Sequence, residues 1–237
     1  MRRRPGLEPC DPPPLPAGAS VTRAAARFEA DVLGAPGADW EDVVLPGALE
    51  RAVAKRRASY LAGRLCAREA LAGLGWTGGV PEMGVDRLPV WPAGFVGSIT
   101  HTHGFAWAVA ARAGEARGIG VDTEQILDAT RAENLPAAIT APDVWATRSR
   151  WGLDDPAYLT LVFSAKESLF KCLYPIVLKF FYFQHARIDG IDAAAGTFRY
   201  QLLIDLDPGH PAGTTGAGTF CMDDERVHTS VMVMRTP

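Results

Sequence analysis

The stretch from Asp155 to Leu178, DPAYLTLVFSAKESLFKCLYPIVL, constrains the fold more than any other. Asp154 or Asp155 suits an N-cap, Pro156 a first helical turn, and Pro175 should end or kink the helix. Phe163, Leu169, Phe170, Leu173 and Tyr174 make this helix apolar over much of its circumference, so most of it must be covered by other elements. A second helical stretch, from Pro46 to Gly75, repeats apolar residues near helical spacing at Leu61, Leu65, Ala70 and Leu74. Strand-like segments follow each helix. FVGSITH and FAWAVAAR, joined around His103 and Gly104, and then RGIGVD follow the first; TFRYQLLIDL, AGTFCM and HTSVMVM follow the second. The order helix-then-strands, met twice, predicts an α+β chain. Its two similar helix-plus-antiparallel-sheet halves would pack as a pseudo-dimer with the active site in the cleft between them. The boundaries read as a Pro-rich flexible arm over 1–20, an N-terminal half over 21–117 and a C-terminal half over 118–237. Residues 125–155, with Pro136 and Pro142, read as irregular surface chain.

Composition narrows the class. At 237 residues the chain can bury a substantial core, and no apolar run approaches the roughly 20 residues that span a bilayer. The basic opening MRRRPG has no apolar segment behind it, so it does not read as a secretory signal. Cys10, Cys66, Cys172 and Cys221 form no CxxC pair, which argues against a zinc site or a disulfide scaffold and for free thiols in a cytoplasmic, soluble protein. A net charge of −3 gives no global sign of nucleic-acid binding. Locally, RAVAKRRASYLAGRLCAR, from Arg51 to Arg68, carries a run of basic residues and no acid until Glu69. Such a patch wants an anion.

Three short motifs carry the chemistry. In GIGVDTE, Asp122 and Glu124 are two residues apart on a strand, so their carboxylates stand on one face. Like charges that close are tolerated when solvated, when they share a proton, or when a cation sits between them. In FSAKESLFK, Glu167 and Lys171 are four apart and share a helix face; on an isolated helix such a pair is worth a few tenths of a kcal/mol. Glu167 beside the two strand acids would complete an oxygen-rich cation site. Three carboxylates without His or thiolate favour a hard cation, Mg²⁺ above all, and a metal so held usually serves phosphate chemistry. In GSITHTHGFA, Ser98, Thr100 and His101 can donate to an anion at a strand end, whereas His103 reads as structural.

RRASYLAGRLCAR, WPAGFVGSITHT, GIGVDTE and FSAKESLFK, in that order, resemble the Sfp-type phosphopantetheinyl transferases, nearer to the enterobactin-synthase-component branch. The resemblance spans Lys55 to Tyr174. It implies transfer of the 4'-phosphopantetheine arm of coenzyme A to a serine of an apo acyl or peptidyl carrier protein, leaving adenosine 3',5'-bisphosphate. It further implies that Asp122, Glu124 and Glu167 hold Mg²⁺, that Glu167 is also the general base, and that Lys171, with Lys166 in support, meets the pyrophosphate charge. Arg56 and Arg64 match basic positions near the 3'-phosphate and adenine, Thr100 and His101 a phosphate-holding pair, and Arg87 the place of a lysine near the coenzyme A phosphates. The N-terminal half would then bind coenzyme A and the C-terminal half carry magnesium and the catalytic helix. Two departures stand out: AYLTLVFSAKE lacks the Trp-Asp-Arg stretch common in this branch, and Asp86 and Arg87 replace the lysine region ahead of WP. The alternative is a coenzyme A and magnesium binding module without turnover. Neither reading needs nucleic acid or a membrane. A monomer is implied, with carrier docking on Ile126, Leu127, Arg131 and Leu135.

Overall fold

The computed structural model of the chain describes residues 1–13, 21–37, 43–84, 86–134 and 136–235. They form two compact units, one built mainly from the chain up to Ile119 together with the residues from Val233 onward, the other from Gly120 to Met232.

In the first unit the elements are β1 (Leu7–Cys10), β2 (Val21–Phe28), α1 (Ala30–Leu33), α2 (Gly47–Glu50), α3 (Ala54–Ala72), β3 (Glu82–Met83), β4 (Pro89–Val90), β5 (Phe95–Thr102) and β6 (Phe105–Arg112). An antiparallel sheet runs in the order β1-β2-β6-β5, and α3 packs on it. The strands facing α3 are rich in alanine: Ala26, Ala106 and Ala108 share a buried cluster with Ala58, Leu61, Ala62 and Leu65 of the helix. Small residues let a helix lie close to a sheet. The approach is close at Gly63, where a Cβ would fall 2.8 Å from Ile99 Cγ2.

Two features differ from the expectation. The single helix predicted from Pro46 to Gly75 is broken between Glu50 and Ala54. Val53 is extended there, with ψ 153, and the Arg57 guanidinium donates to the carbonyls of Ala52 and Gly34. A side chain has taken a carbonyl that a continuous helix would have used. Within the stretch read as a flexible arm, Leu7–Cys10 pairs with β2 and Leu7 is buried; residues 14–20 lie outside the described residues.

The boundary between the units falls within β7 (Ala116–Gln125). Then come α4 (Ala129–Asn134), α5 (Pro136–Ile139), α6 (Pro142–Ala146), a 3-10 turn at Arg148–Trp151, α7 (Asp155–Val177), a second 3-10 turn at Phe183–His185, and β8 (Ala186–Asp192), β9 (Thr197–Leu202), β10 (Thr215–Met222) and β11 (Arg226–Met234). The strands form a five-stranded sheet in the order β7-β11-β10-β9-β8. Two sheets, each packed against helices, bear out the α+β class.

The long helix α7 begins where the sequence placed it, and Asp154 is the cap: its carboxylate accepts the Ala157 N–H at 2.8 Å. Pro175 does not end the helix. It sits inside the last turn, and the helix runs on to Val177 before Leu178 turns left-handed at φ 51. Leu159, Leu161, Ala165, Leu169, Cys172 and Leu173 are buried. Polar contacts fix the register as well: Ser164 and Ser168 both hydrogen-bond the Thr229 hydroxyl of β11, which in turn donates to the Ser164 carbonyl at 2.9 Å. Against β7 the helix comes closer still. A Cβ on Gly120 would lie 1.8 Å from the Ser168 carbonyl oxygen. Residues 125–155, read as irregular, are mostly short helices tied to their surroundings by Leu127 N–H to Thr160 Oγ1 at 3.0 Å and by a bidentate Arg148–Asp155 pair at 2.6 and 2.8 Å.

Gly120→Ala should therefore force α7 away from β7 and cost about 3 kcal/mol or more. Gly47→Ala, whose Cβ would meet open space, should leave stability within about 1 kcal/mol. Urea unfolding of the two variants checks this, and equal midpoints would refute the close approach.

Candidate active site

On β7, residues two apart face the same way, so Gly120, Asp122 and Glu124 share the face that meets α7. Because Gly120 carries no side chain, the helix backbone sits close at Ser168, and Lys171, three residues on, reaches the acids. The Lys171 ammonium lies 2.6 Å from Asp122 Oδ1 and 3.3 Å from the Val121 carbonyl. Thus a cation does sit at the paired acids, and α7 supplies it. The helical Glu167–Lys171 ion pair expected from spacing is not made: Lys171 gives its ammonium to Asp122 on the sheet instead. Asp122 is buried, at 3% exposure, while Glu124 and Glu167 are half-buried.

The three carboxylates feel one another. Burial pushes Glu124 up to about 7, and the charges of Asp122 and Glu167 push in the same direction against the pull of Lys171. Burial also raises Glu167, with Lys171 opposing and Asp122 adding to the rise. A carboxyl raised toward neutrality is suited to taking a proton. On the opposite face of β7, Thr123 Oγ1 is 2.9 Å from His228 Nδ1 of β11, which ties down the residue between the two acids.

Lys166 is engaged elsewhere. Its ammonium, buried at 5% exposure, donates to the carbonyls of Ile139 at 2.8 Å and Phe183 at 2.7 Å. Burial lowers it to about 8.

One feature at this end of α7 went unused in the sequence reading. A cavity of about 330 Å³ is lined by Lys166, Glu167, Phe170, Phe180, Tyr182 and Phe183 among others. In its aromatic wall Phe170 lies 5.0 Å from Phe180 and Phe180 5.0 Å from Tyr182, and Phe183 is backed by Phe163 at 5.2 Å, by ring centroids. The signal was available in the run FFYF at residues 180–183, directly after the helix.

The basic candidates belong to the first unit. Arg64 on α3 is buried at 5% exposure, its Cζ 4.9 Å from the Tyr60 ring centroid, and its Nε and Nη1 have no hydrogen-bond partner among the described residues. A buried guanidinium in that state is costly, and an anion would relieve it. Arg56 is exposed at the start of α3. Arg57, part of the same basic run, is spent on backbone carbonyls. Arg87 is exposed in a turn, at φ 67, with its N–H on the Gly84 carbonyl. Thr100 and His101 are consecutive on β5 and so alternate in direction: Thr100 is buried and His101 exposed. Of the carrier-docking residues, Ile126 and Leu127 are half-buried, Arg131 is exposed beside Asp128, and Leu135 lies outside the described residues.

Asp122, Glu124 and Glu167 offer hard oxygen donors that repel one another, and in their chemistry they fit Mg²⁺. Among the described residues no three His, Cys, Asp or Glu side chains are drawn together as a metal-holding group.

A two-unit α+β chain with carboxylates and a lysine shared between a strand and a helix defines a class that comparison with known proteins makes specific. Residues 45–111 match the 4'-phosphopantetheinyl transferase N-terminal domain, and residues 118–215 match the 4'-phosphopantetheinyl transferase superfamily. The chain is 37% identical over 156 residues to the 4'-phosphopantetheinyl transferase Svp of Streptomyces mobaraensis, covering 65% of this chain and 62% of that one. It is 34% identical over 181 residues to the 4'-phosphopantetheinyl transferase Npt of Nocardia iowensis, covering 72% and 76%. With enterobactin synthase component D of Escherichia coli K12 it shares 42% over 123 residues, covering 52% and 57%. The chain belongs to the 4'-phosphopantetheinyl transferase superfamily. The matched segments span less than two thirds of the Streptomyces and Escherichia proteins.

Lys171→Met should leave three carboxylates with no cation among them and destabilise the metal-free protein by about 1–3 kcal/mol, between the values for exposed and buried pairs. Adding Asp122→Asn should recover part of that loss. A double-mutant cycle by urea unfolding in chelator measures the coupling, and simple additivity would show that the pair contributes nothing.

Proposed function

We propose that this chain transfers the 4'-phosphopantetheine arm of coenzyme A to a serine of an apo acyl or peptidyl carrier protein and releases adenosine 3',5'-bisphosphate. The observation that carries the reading is the double membership of Glu167. It is coupled electrostatically to Asp122, and it also lines an apolar cavity of about 330 Å³. Coenzyme A joins a charged pyrophosphate to a long, weakly polar arm, and a residue serving both must stand where the two environments meet.

Glu167, raised by burial, accepts the proton of the serine hydroxyl, directly or through one water. The serine oxygen then forms its bond to the phosphorus that carries the arm, and the pyrophosphate P–O bond breaks. Lys171 fixes Asp122 and brings positive charge to the same place. Asp122, Glu124 and Glu167 would hold Mg²⁺, which supplies neutralisation of the pyrophosphate oxygens when bound. Phosphates at the nucleotide end are the anion for which Arg64 is prepared, and Arg56, Arg87, Thr100 and His101 are assigned to the same task. The cavity takes the arm. We assign carrier docking to Ile126, Leu127 and Arg131, where an exposed cation follows two half-buried apolar residues along the chain. No helix among the described residues is long and apolar enough to cross a membrane. The four free cysteines suit the reducing cytoplasm, and a monomer suffices for this chemistry.

Intact mass spectrometry of an apo carrier protein incubated with this chain, coenzyme A and Mg²⁺ tests the reading. A gain of one arm, abolished by chelator and slowed by about 10²- to 10⁴-fold in Glu167→Gln, is the expected result. No gain across several carriers, with coenzyme A still bound, would make the chain a binding module instead. Arg64→Met should raise the KM for coenzyme A more than it lowers kcat, because nucleotide contacts are alike in ground and transition states. Steady-state kinetics decides this, and an unchanged KM would remove Arg64 from the site.

A further inference from the structure

Resemblance assigns Lys166 to anion support, but the geometry points to a different use. We propose that Lys166 is a positioning residue: its ammonium pins the carbonyls of Ile139 and Phe183 to α7, and so holds the aromatic wall of the cavity in the shape that admits the arm of coenzyme A. The second half of this proposal rests on the function given above; the clamp itself does not.

Phe163, Lys166 and Phe170 lie on one stripe of α7, at i, i+3 and i+7. Each grips the segment that follows the helix. Phe163 meets the Phe183 ring edge-on at 5.2 Å, Phe170 packs on Phe180 and Phe181, and Lys166 holds the Phe183 backbone between them at 2.7 Å. Without the ammonium, this segment keeps the Lys179 bond to the Asp205 carbonyl near its start and the Leu203 bond to the His185 carbonyl at its end. The middle would rely on ring contacts and on the local bonds between Tyr182 and His185. Of the four aromatic positions there, Phe181 is buried at 5% exposure but Phe180 and Tyr182 are each 59% exposed, so ring burial anchors the wall at one point and leaves its rim to the backbone bonds.

The other carbonyl, that of Ile139, ends α5. One ammonium thereby joins the short helices after β7 to the cavity wall. Among the described residues only neutral carbonyls receive it, and no carboxylate pairs with it. For a phosphate ligand that arrangement is wasteful, since two of three donors are already used and the group is 5% exposed. For a clamp it is efficient, because charge-assisted bonds to two carbonyls are stronger than neutral ones.

Hydrogen exchange on the ligand-free protein tests the clamp. Lys166→Met should speed exchange in peptides containing Ile139 and residues 178–185 while the buried turns of α7 and the first unit keep their protection; Lys166→Arg, which retains the donors, should restore it. Unchanged exchange in Lys166→Met would overturn the clamp. Titration calorimetry with two ligands then separates the roles. Lys166→Met should weaken coenzyme A by about tenfold and leave 3'-phosphoadenosine 5'-diphosphate, which keeps the pyrophosphate and lacks only the pantetheine, unaffected. Equal weakening of both would make Lys166 a phosphate ligand and refute the positioning role. If the unmodified chain binds neither ligand, the function assigned above fails, and the exchange result alone decides the clamp.

Discussion

The second unit depends on one close approach, that of the Ser168 carbonyl to the bare Cα of Gly120. A helix normally stands off a sheet by the thickness of two layers of side chains. Here, at one position, there is no side chain on the sheet, and the serine hydroxyls on the helix bond Thr229 rather than push away. The consequence is reach. Lys171, one turn beyond Glu167, can place its ammonium on a buried strand carboxylate, and two acids that would otherwise repel without compensation acquire a fixed countercharge.

The same economy governs the other cations. Arg57 closes the broken turn ahead of α3, and Lys166 closes the wall of the aromatic cavity. Both donate to backbone carbonyls. Arg64 differs, because its buried nitrogens have been given nothing to hold among the described residues. Under the proposed function, fixing some cations on the chain leaves the remaining ones as recognition elements, and a basic stretch in the sequence is therefore not a uniform patch.

Much of this was legible in advance for identifiable reasons. The spacing of Asp122 and Glu124 prescribes a shared face, and the capping Asp154 with Pro156 marks the start of α7 with little ambiguity. What escaped was decided by tertiary context. Ala24, Ala25 and Ala26 favour helix locally, yet they lie in β2, paired with β6, with Ala26 in the buried cluster beneath α3. The break at Val53 depends on Arg57 reaching Gly34, a contact between residues far apart in the chain. Spacing along α7 suggested that Glu167 and Lys171 pair with each other; nothing in that helix reveals that a better partner waits on β7. The cavity lay hidden in FFYF, which looks like ordinary core until Phe180 and Tyr182 are found exposed.

The last described residue, Arg235, gives its N–H to the Glu115 carbonyl and its Nε to the Ala113 carbonyl, 122 positions earlier, within the first unit. On a ribosome moving at roughly 5–20 residues per second, the turn at Ala113–Glu115 must wait about 6–24 s for that partner. During that interval the first unit has its sheet and its helix but not its closing bonds. Any chaperone or protease that meets the nascent chain meets it in that unfinished form, so the vulnerable window of this protein is set by chain order rather than by the stability of its finished core.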